Sequence, residues 1–159
     1  MTPFARGIGA PALIAAALST LSAPAEARDD RLLFDIQNVL NSALGKDRFD
    51  ETVEFYWGDR IYPQPQESFG VHTTERRTFA PIRTDPEACD RAFIEALAAL
   101  RDAAKAAGAN AVVEIKSIYK NREFRSETQY ECRAGYVVTG VSLEGRLVKL
   151  PGPGPSSSF

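Results

Sequence analysis

The two cysteines, Cys89 and Cys132, are the residues whose chemistry the sequence defines most closely. Cys89 begins a segment with helical spacing and lies on its apolar face, while Cys132 shares one side of a predicted strand with Tyr130 and Ala134. A helix laid on a sheet can bring two such side chains together, and oxidising compartments form and keep disulfides. Two separate buried thiols, which act as small apolar side chains, are the alternative. The pattern favours a disulfide and leaves that alternative open.

A basic segment between two predicted strands is the second feature with binding chemistry. Only one carboxylate, Glu123, stands among its four cations, which are Lys116, Lys120, Arg122 and Arg125. The segment should form an exposed hairpin end, and exposed loops often carry recognition. We therefore expect these residues to bind an anionic envelope component, or to dock an envelope protein. A solvated charged loop is the alternative interpretation.

Catalytic and metal-binding residues are poorly represented in this chain. His72 is the only histidine, and the two cysteines are far apart in sequence. Zinc sites use closely spaced Cys and His ligands, and a hydrolytic triad needs a serine positioned beside a histidine. The sequence therefore predicts no catalytic residues, no metal and no cofactor. A small periplasmic hydrolase or metal-binding protein remains the alternative, and it would need a pocket that joins His72 to carboxylates.

The first 27 residues have the pattern of a cleavable secretory signal. Arg6 precedes a short apolar stretch over 8–21, and Ala25-Glu26-Ala27 has small residues at the two positions that signal peptidase requires. The apolar stretch is shorter than the ~20 residues that span a bilayer. We expect cleavage before Arg28, no transmembrane anchor after cleavage, and a periplasmic or secreted product. The net charge of −2 favours no nucleic-acid partner.

Local patterns predict the elements that position these residues. Pro86 follows a capping Asp85 and Gly108 ends the apolar periodicity, which predicts a long helix over 86–107. Spacings of three and four predict an N-terminal helix over 31–44. Strand patterns occupy 52–57, 69–79, 111–118, 128–136, 137–143 and 146–150, with a turn at Glu144-Gly145 between the last two.

These elements predict a single small α+β domain over 28–150. Runs of adjacent strands predict an antiparallel sheet of about four or five strands, with the long helix (86–107) and the N-terminal helix packed on it. Residues 151–159 are rich in Pro, Gly and Ser and are expected to form a disordered tail.

A set of short motifs resembles a known family. The motifs are Cys89 before an Ala/Leu-rich helix, Gly108-Ala-Asn-Ala-Val-Val-Glu-Ile115, Tyr130-Glu-Cys132 followed by Gly135, and Val141-x-Leu-x-Gly-x-x-Val-Lys-Leu150. Together they resemble small exported bacterial proteins often labelled "excinuclease ATPase subunit", over about residues 33–150. That family is similar in fold to the Rcs envelope-stress sensor lipoprotein and to a cytoplasmic family of heavy-metal-binding domains.

The resemblance implies an envelope-sensing role and a helix-to-strand disulfide like that of the stress sensor, which adds weight to pairing Cys89 with Cys132. The chain lacks the sensor's lipidation cysteine and its further cysteines, so anchoring and signalling do not carry over. The ATPase label fails because the sequence has no G-x-x-x-x-G-K-[S/T] segment to hold phosphates. The expected function is therefore non-enzymatic binding or sensing in the periplasm.

Overall fold

The protein folds as a seven-stranded sheet with one long helix on its inner face. The structure, a computed structural model, describes residues 28–49, 52–80 and 82–152. In chain order the elements are β1 (Asp30–Asp35), α1 (Ile36–Leu40), α2 (Ala43–Lys46), β2 (Glu54–Trp57), β3 (Glu67–Phe79), α3 (Asp85–Ala107), β4 (Ala111–Tyr119), β5 (Arg122–Phe124), β6 (Gln129–Ala134) and β7 (Val138–Lys149). The predicted α+β class is confirmed.

Strand β7 organises the sheet because it pairs along both edges. Strand β3 lines one edge over its whole length, while β6 and then β4 share the other edge. Strand β1 extends the sheet beyond β6, and β2 and β5 both pair with β4. The β2–β4 pair is parallel, so the sheet is mixed and larger than the predicted antiparallel one. This pairing is possible because β3 and α3 form a long crossover between the two strands.

The long helix α3 has the ends that its sequence predicts. The carboxylate of Glu87 accepts hydrogen bonds from the backbone N–H and the hydroxyl of Thr84, the N-cap residue, one position before the predicted cap. Gly108 ends the helix in the left-handed conformation with φ of 82°, which favours glycine. The apolar face of α3 is buried against β3, β6 and β7.

The predicted helix over 31–44 is wrong. Residues 30–35 form β1, which pairs in register with β6, and only short helices α1 and α2 follow. The side chain of Asp35 caps α1 by accepting a hydrogen bond from the N–H of Asn38. Pairing with a strand about 100 residues later overrides the local helical spacing, as tertiary context often does.

The predicted turn at Glu144-Gly145 is also wrong, because β7 runs unbroken through it. The glycine serves a close approach between strands: a Cβ at Gly145 would lie 2.5 Å from Cγ1 of Val112. Strand β4 is irregular at this level, where its register to β7 shifts between Val113 and Lys116. Gly145 therefore permits the packing of β4 side chains over the sheet.

Three stacked aromatic rings form the centre of the core. The ring of Phe93 on α3 lies 5.6 Å from that of Trp57 and 4.0 Å from that of Tyr130, between centroids. The hydroxyl of Tyr130 donates to Asp90 at 2.9 Å, which satisfies the buried phenol. The neighbouring Tyr56 of β2 does not join this core but packs against a second cluster, formed by Ala111, Val113, Val148 and Leu150.

Two predicted segments fall outside the described residues, namely the signal over 1–27 and all but the first two residues of the tail over 151–159. Within the described ranges, no helix combines the length and apolar character needed to cross a membrane.

Candidate functional site

The cysteines lie where the sequence placed them. Their sulfur atoms are 2.07 Å apart, within disulfide-bonding distance, and their Cα atoms are 5.9 Å apart. Both residues are fully buried, between the first turn of α3 and the inner face of β6. This pair therefore ties the helix to the sheet and offers no accessible thiol chemistry.

The predicted anion-binding segment forms the β4–β5 hairpin, whose two turn residues, Lys120 and Asn121, have φ of 47° and 63°. Lys116 is not at the exposed tip. Its ammonium contacts Glu123 at 2.6 Å and Glu144 at 3.1 Å, and its side chain is only 10 % exposed. Although burial opposes it, these two hydrogen bonds raise the pKa of Lys116. Lys116 is therefore a structural partner of two carboxylates.

Two more cations of the hairpin have carboxylate partners from elsewhere in the chain. The ammonium of Lys120 lies 3.3 Å from Asp29. The guanidinium of Arg125 lies 3.4 Å from Asp59 and 3.4 Å from Glu123. Exposed ion pairs of this kind contribute little to stability, because solvent screens them and ordering both side chains costs entropy. They nevertheless lower the positive potential that the sequence predicted for this segment.

Arg122 differs from the other three cations. It is exposed on β5, and no side-chain partner for it exists among the residues that the structure describes. The four cations therefore do not converge on one point. The hairpin therefore attracts an anion only weakly. Arg122 contributes directly, whereas Lys120 and Arg125 contribute only when their ion pairs open.

A cavity of about 220 Å³ lies on the outer face of the sheet, opposite α3, and sequence reasoning missed it. Its walls come from β3, β6, β7, the end of β4 and the residues that precede β1. Cations and carboxylates are equally numerous among its charged lining residues, which are Arg28, Asp29, Glu75, Arg77, Glu131 and Arg133. The lining therefore combines charged and apolar side chains and carries no net formal charge.

Strand register arranges this lining. Gly140 of β7 lies opposite Arg77 of β3 on one side and opposite Arg133 of β6 on the other. Two residues further along β7, Ser142 lies opposite Glu75. Opposed residues in antiparallel strands share a face, so two arginines flank a position without a side chain. Gly140 forms the floor between them.

The β6 wall of the cavity is held rigidly. Glu131 is 8 % exposed and accepts from Arg133 at 2.9 Å and from Arg31 at 2.5 Å. The guanidinium of Arg133 lies 4.0 Å from the ring centroid of Tyr119, in cation–π geometry. The hydroxyl of Tyr119 donates to Asp29, and this hydrogen bond lowers the pKa of Asp29. Arg133 is thus preorganised before any ligand arrives.

The sequence did carry one signal of this site. A Glu-x-Arg triplet occurs at 75–77 and at 131–133, each placing both charges on one face of a strand. The signal is weak, because the same triplet also occurs at 26–28, 123–125 and 144–146. What the sequence lacked was the register that puts both triplets beside Gly140.

The structure gives no support to a metal centre in the ranges it describes: no group of three or more His, Cys, Asp or Glu side chains is placed to hold an ion. His72 is exposed on β3, opposite Gly145, and does not line the cavity. No family model, no curated protein and no solved structure matches this chain, so its function has to be inferred from the geometry of the cavity and the hairpin.

Proposed function

We propose that this chain is a non-enzymatic binding domain that works in the periplasm, or outside the cell, and takes up a small envelope solute in the cavity on its outer sheet face. The predicted leader over 1–27 and the Cys89–Cys132 pair support export, because oxidising compartments keep disulfides. The proposal that the cavity binds a solute does not depend on the localisation, and it would hold equally for a secreted protein.

The observation that carries the proposal is the preorganised charged wall beside an empty strand position. Glycine weakens a strand interior, so Gly140 costs stability at a place where a larger residue would fit. A Cβ there would meet its nearest neighbour, Cγ of Arg77, at 3.5 Å, which is ordinary van der Waals contact. The backbone at position 140 therefore does not require glycine. A larger side chain there would occupy the cavity, so glycine is needed to keep the cavity open.

This geometry provides a blocking variant. Gly140→Val places a β-branched side chain between the two arginines, keeps every charge, and favours the strand conformation. Gln129→Val is the matched control because it adds the same side chain to an exposed position of β6 outside the cavity. Each mature protein is dialysed against the low-molecular-mass fraction of an envelope extract, and retained solutes are identified by mass spectrometry.

The wild type and Gln129→Val should retain the same solute, and Gly140→Val should lose it while unfolding at an equal or higher urea concentration. Retention of the solute by Gly140→Val would refute the cavity as the site. If neither the wild type nor the control retains any solute, the binding function itself is wrong.

A second binding activity rests on the β4–β5 hairpin. Arg122 is exposed without a described partner, and Lys120 and Arg125 are held only by exposed ion pairs. We propose that these three residues bind an anionic envelope component weakly, in a salt-sensitive manner. Exposed charges are screened beyond ~8 Å at physiological ionic strength, so this affinity should fall steeply with added salt.

A further inference from the structure

In the two Glu-x-Arg triplets of the cavity, at 75–77 and 131–133, the guanidinium group of each arginine uses only two of its three nitrogen atoms. Arg77 contacts Glu75 through Nε and Nη2, and Arg133 contacts Glu131 through the same two atoms. Among the described residues, Nη1 of neither arginine has a hydrogen-bond partner. Arg77 and Arg133 lie on opposite sides of Gly140 in the sheet. Since neighbouring strands lie ~4.8 Å apart, their Cα atoms are roughly 10 Å apart.

Glu75, whose carboxylate can accept a hydrogen bond from a cation, lies two residues from Arg77 on β3. Both contacts from Arg77 go to Oε1 of Glu75, and Oε2 has no partner among the described residues. Glu75 lies opposite Ser142, two residues from Gly140 along β7, which corresponds to ~7 Å. The lining therefore offers unused guanidinium donors on both sides of Gly140 and, beside Arg77, an unused carboxylate oxygen of Glu75.

Charge balance selects the kind of ligand. A simple anion would gain the two arginines but would also meet three carboxylates in the lining, and a simple cation would meet three guanidinium groups. A molecule with one charge of each sign can satisfy both ends without adding net charge. The volume also limits ligand size, because sites for drug-sized molecules typically occupy ~300–1,000 Å³.

We propose that the cavity binds a small zwitterion of dipeptide length, with its carboxylate between Arg77 and Arg133 and its ammonium at Glu75. Two residues of extended chain span at most ~7 Å. This matches the ~7 Å along β7 from Gly140, which lies between the two arginines, to Ser142, which lies opposite Glu75, whereas a single α-amino acid carries both charges on one carbon. This inference rests on the proposed function of the cavity as the binding site.

Blocked peptides test the two ends separately. Binding of L-alanyl-L-alanine to the mature protein is measured by calorimetry at low ionic strength and compared with its N-acetyl form, its C-terminal amide and free L-alanine. The dipeptide should bind about tenfold or more tightly than each of the other three. Each blocked form lacks one charged group, and free L-alanine, with both charges on one carbon, cannot make both charge-assisted contacts. Equal binding of a blocked form, or no binding of the dipeptide, would overturn the proposal.

Two variants assign the ends to residues. Arg77→Gln should reduce the preference for the free carboxylate over the amide, and Glu75→Gln should reduce the preference for the free amine over the N-acetyl form. Both side chains are more than half exposed, so neither replacement should unfold the protein. Arg76→Gln and Glu67→Gln are matched controls on the same strand, outside the cavity lining. The assignment would be refuted if a control variant lost both preferences. It would also be refuted if a test variant lost neither preference.

The solute-capture experiment separates this inference from the proposed function. If Gly140 variants abolish capture of an envelope solute but the dipeptide series fails, the cavity is a binding site and the zwitterion is the wrong ligand class. If both fail, the binding function itself is wrong.

Discussion

The Cys89–Cys132 disulfide should be a major source of stability, and its contribution is calculable from the chain. The two residues are 43 positions apart. For a closed loop of that length the chain-entropy model gives about 4 kcal/mol, and removal of a native disulfide from a small secreted domain typically costs ~2–5 kcal/mol. Whole domains have only ~5–15 kcal/mol of stability, so the bond should account for a large share.

The sheet topology predicts where the loss appears first. Strand β6 pairs with β7 through two residue pairs, Arg133 with Gly140 and Ala134 with Thr139, and within the described ranges β1 pairs with no strand other than β6. The disulfide ties this two-stranded ribbon to α3. Without it, the amides of β1 and β6 should exchange with solvent faster than those of β3 and β7, because the ribbon can open locally.

Urea unfolding of the oxidised and the dithiothreitol-reduced wild type gives the magnitude without changing side chains. With a typical urea slope of ~2 kcal/mol/M, a loss of about 4 kcal/mol should lower the midpoint by roughly 2 M. The double variant Cys89→Ala/Cys132→Ala should show a similar or somewhat larger loss, since both sulfurs are fully buried. Equal midpoints for the oxidised and reduced proteins would refute this reasoning, as would uniform acceleration of exchange across the sheet.

Three further predictions concern export, the hairpin and the core. Intact mass of the envelope-exposed protein should match a chain that starts at Arg28, and full-length protein in the cytoplasm would contradict export. A triple glutamine variant of the hairpin should lose low-salt binding to anionic liposomes, while unchanged binding would leave the hairpin a solvated surface; its three positions are Lys120, Arg122 and Arg125. Burial raises the pKa of Asp90, although the hydrogen bond from Tyr130 acts in the opposite direction. The folded state therefore binds the carboxyl proton of Asp90 more tightly than the unfolded state does. That stability is present below the ordinary carboxyl pKa and is lost as pH rises through the raised value. Asp90→Asn should therefore stabilise the protein at neutral pH in urea unfolding, and a destabilised variant would contradict this.

Local signals in the sequence were sufficient for helix α3, and they favoured the cysteine pair without excluding two separate buried thiols. Pro86 and Gly108 mark the two ends of the helix, and the apolar spacing between them orients Cys89 towards the sheet. Alternation around Cys132 does the same for β6. Both patterns depend on neighbours within a few residues, and such patterns survive folding well when the element is long.

Strand pairing was the part that local patterns could not provide. Leu33 and Ile36 have helical spacing, yet β1 pairs with a strand far along the chain. Gly145 looks like a turn residue, but it leaves room on β7 for the side chain of Val112 from the neighbouring strand β4. In each case the deciding contact is non-local, so the same residues fit two local conformations equally well.

The cavity shows the same limitation for function. The cations of the β4–β5 hairpin are close together in sequence, and this pattern predicted an anion-binding site. In the structure, carboxylates from distant segments neutralise most of these cations. Arg77, Gly140 and Arg133 come from three separate strands and meet only through register. Sites assembled across a sheet in this way have no compact sequence motif.

An amide NMR titration of the ¹⁵N-labelled mature protein with L-alanyl-L-alanine tests the central claim, that the outer-face cavity binds a zwitterion of dipeptide length, most directly. We expect the largest saturable shift changes at Arg77, Gly140, Ser142 and Arg133, and none of comparable size at the hairpin residues 120–125. Absence of saturable shifts, or shifts confined to that hairpin, would contradict it.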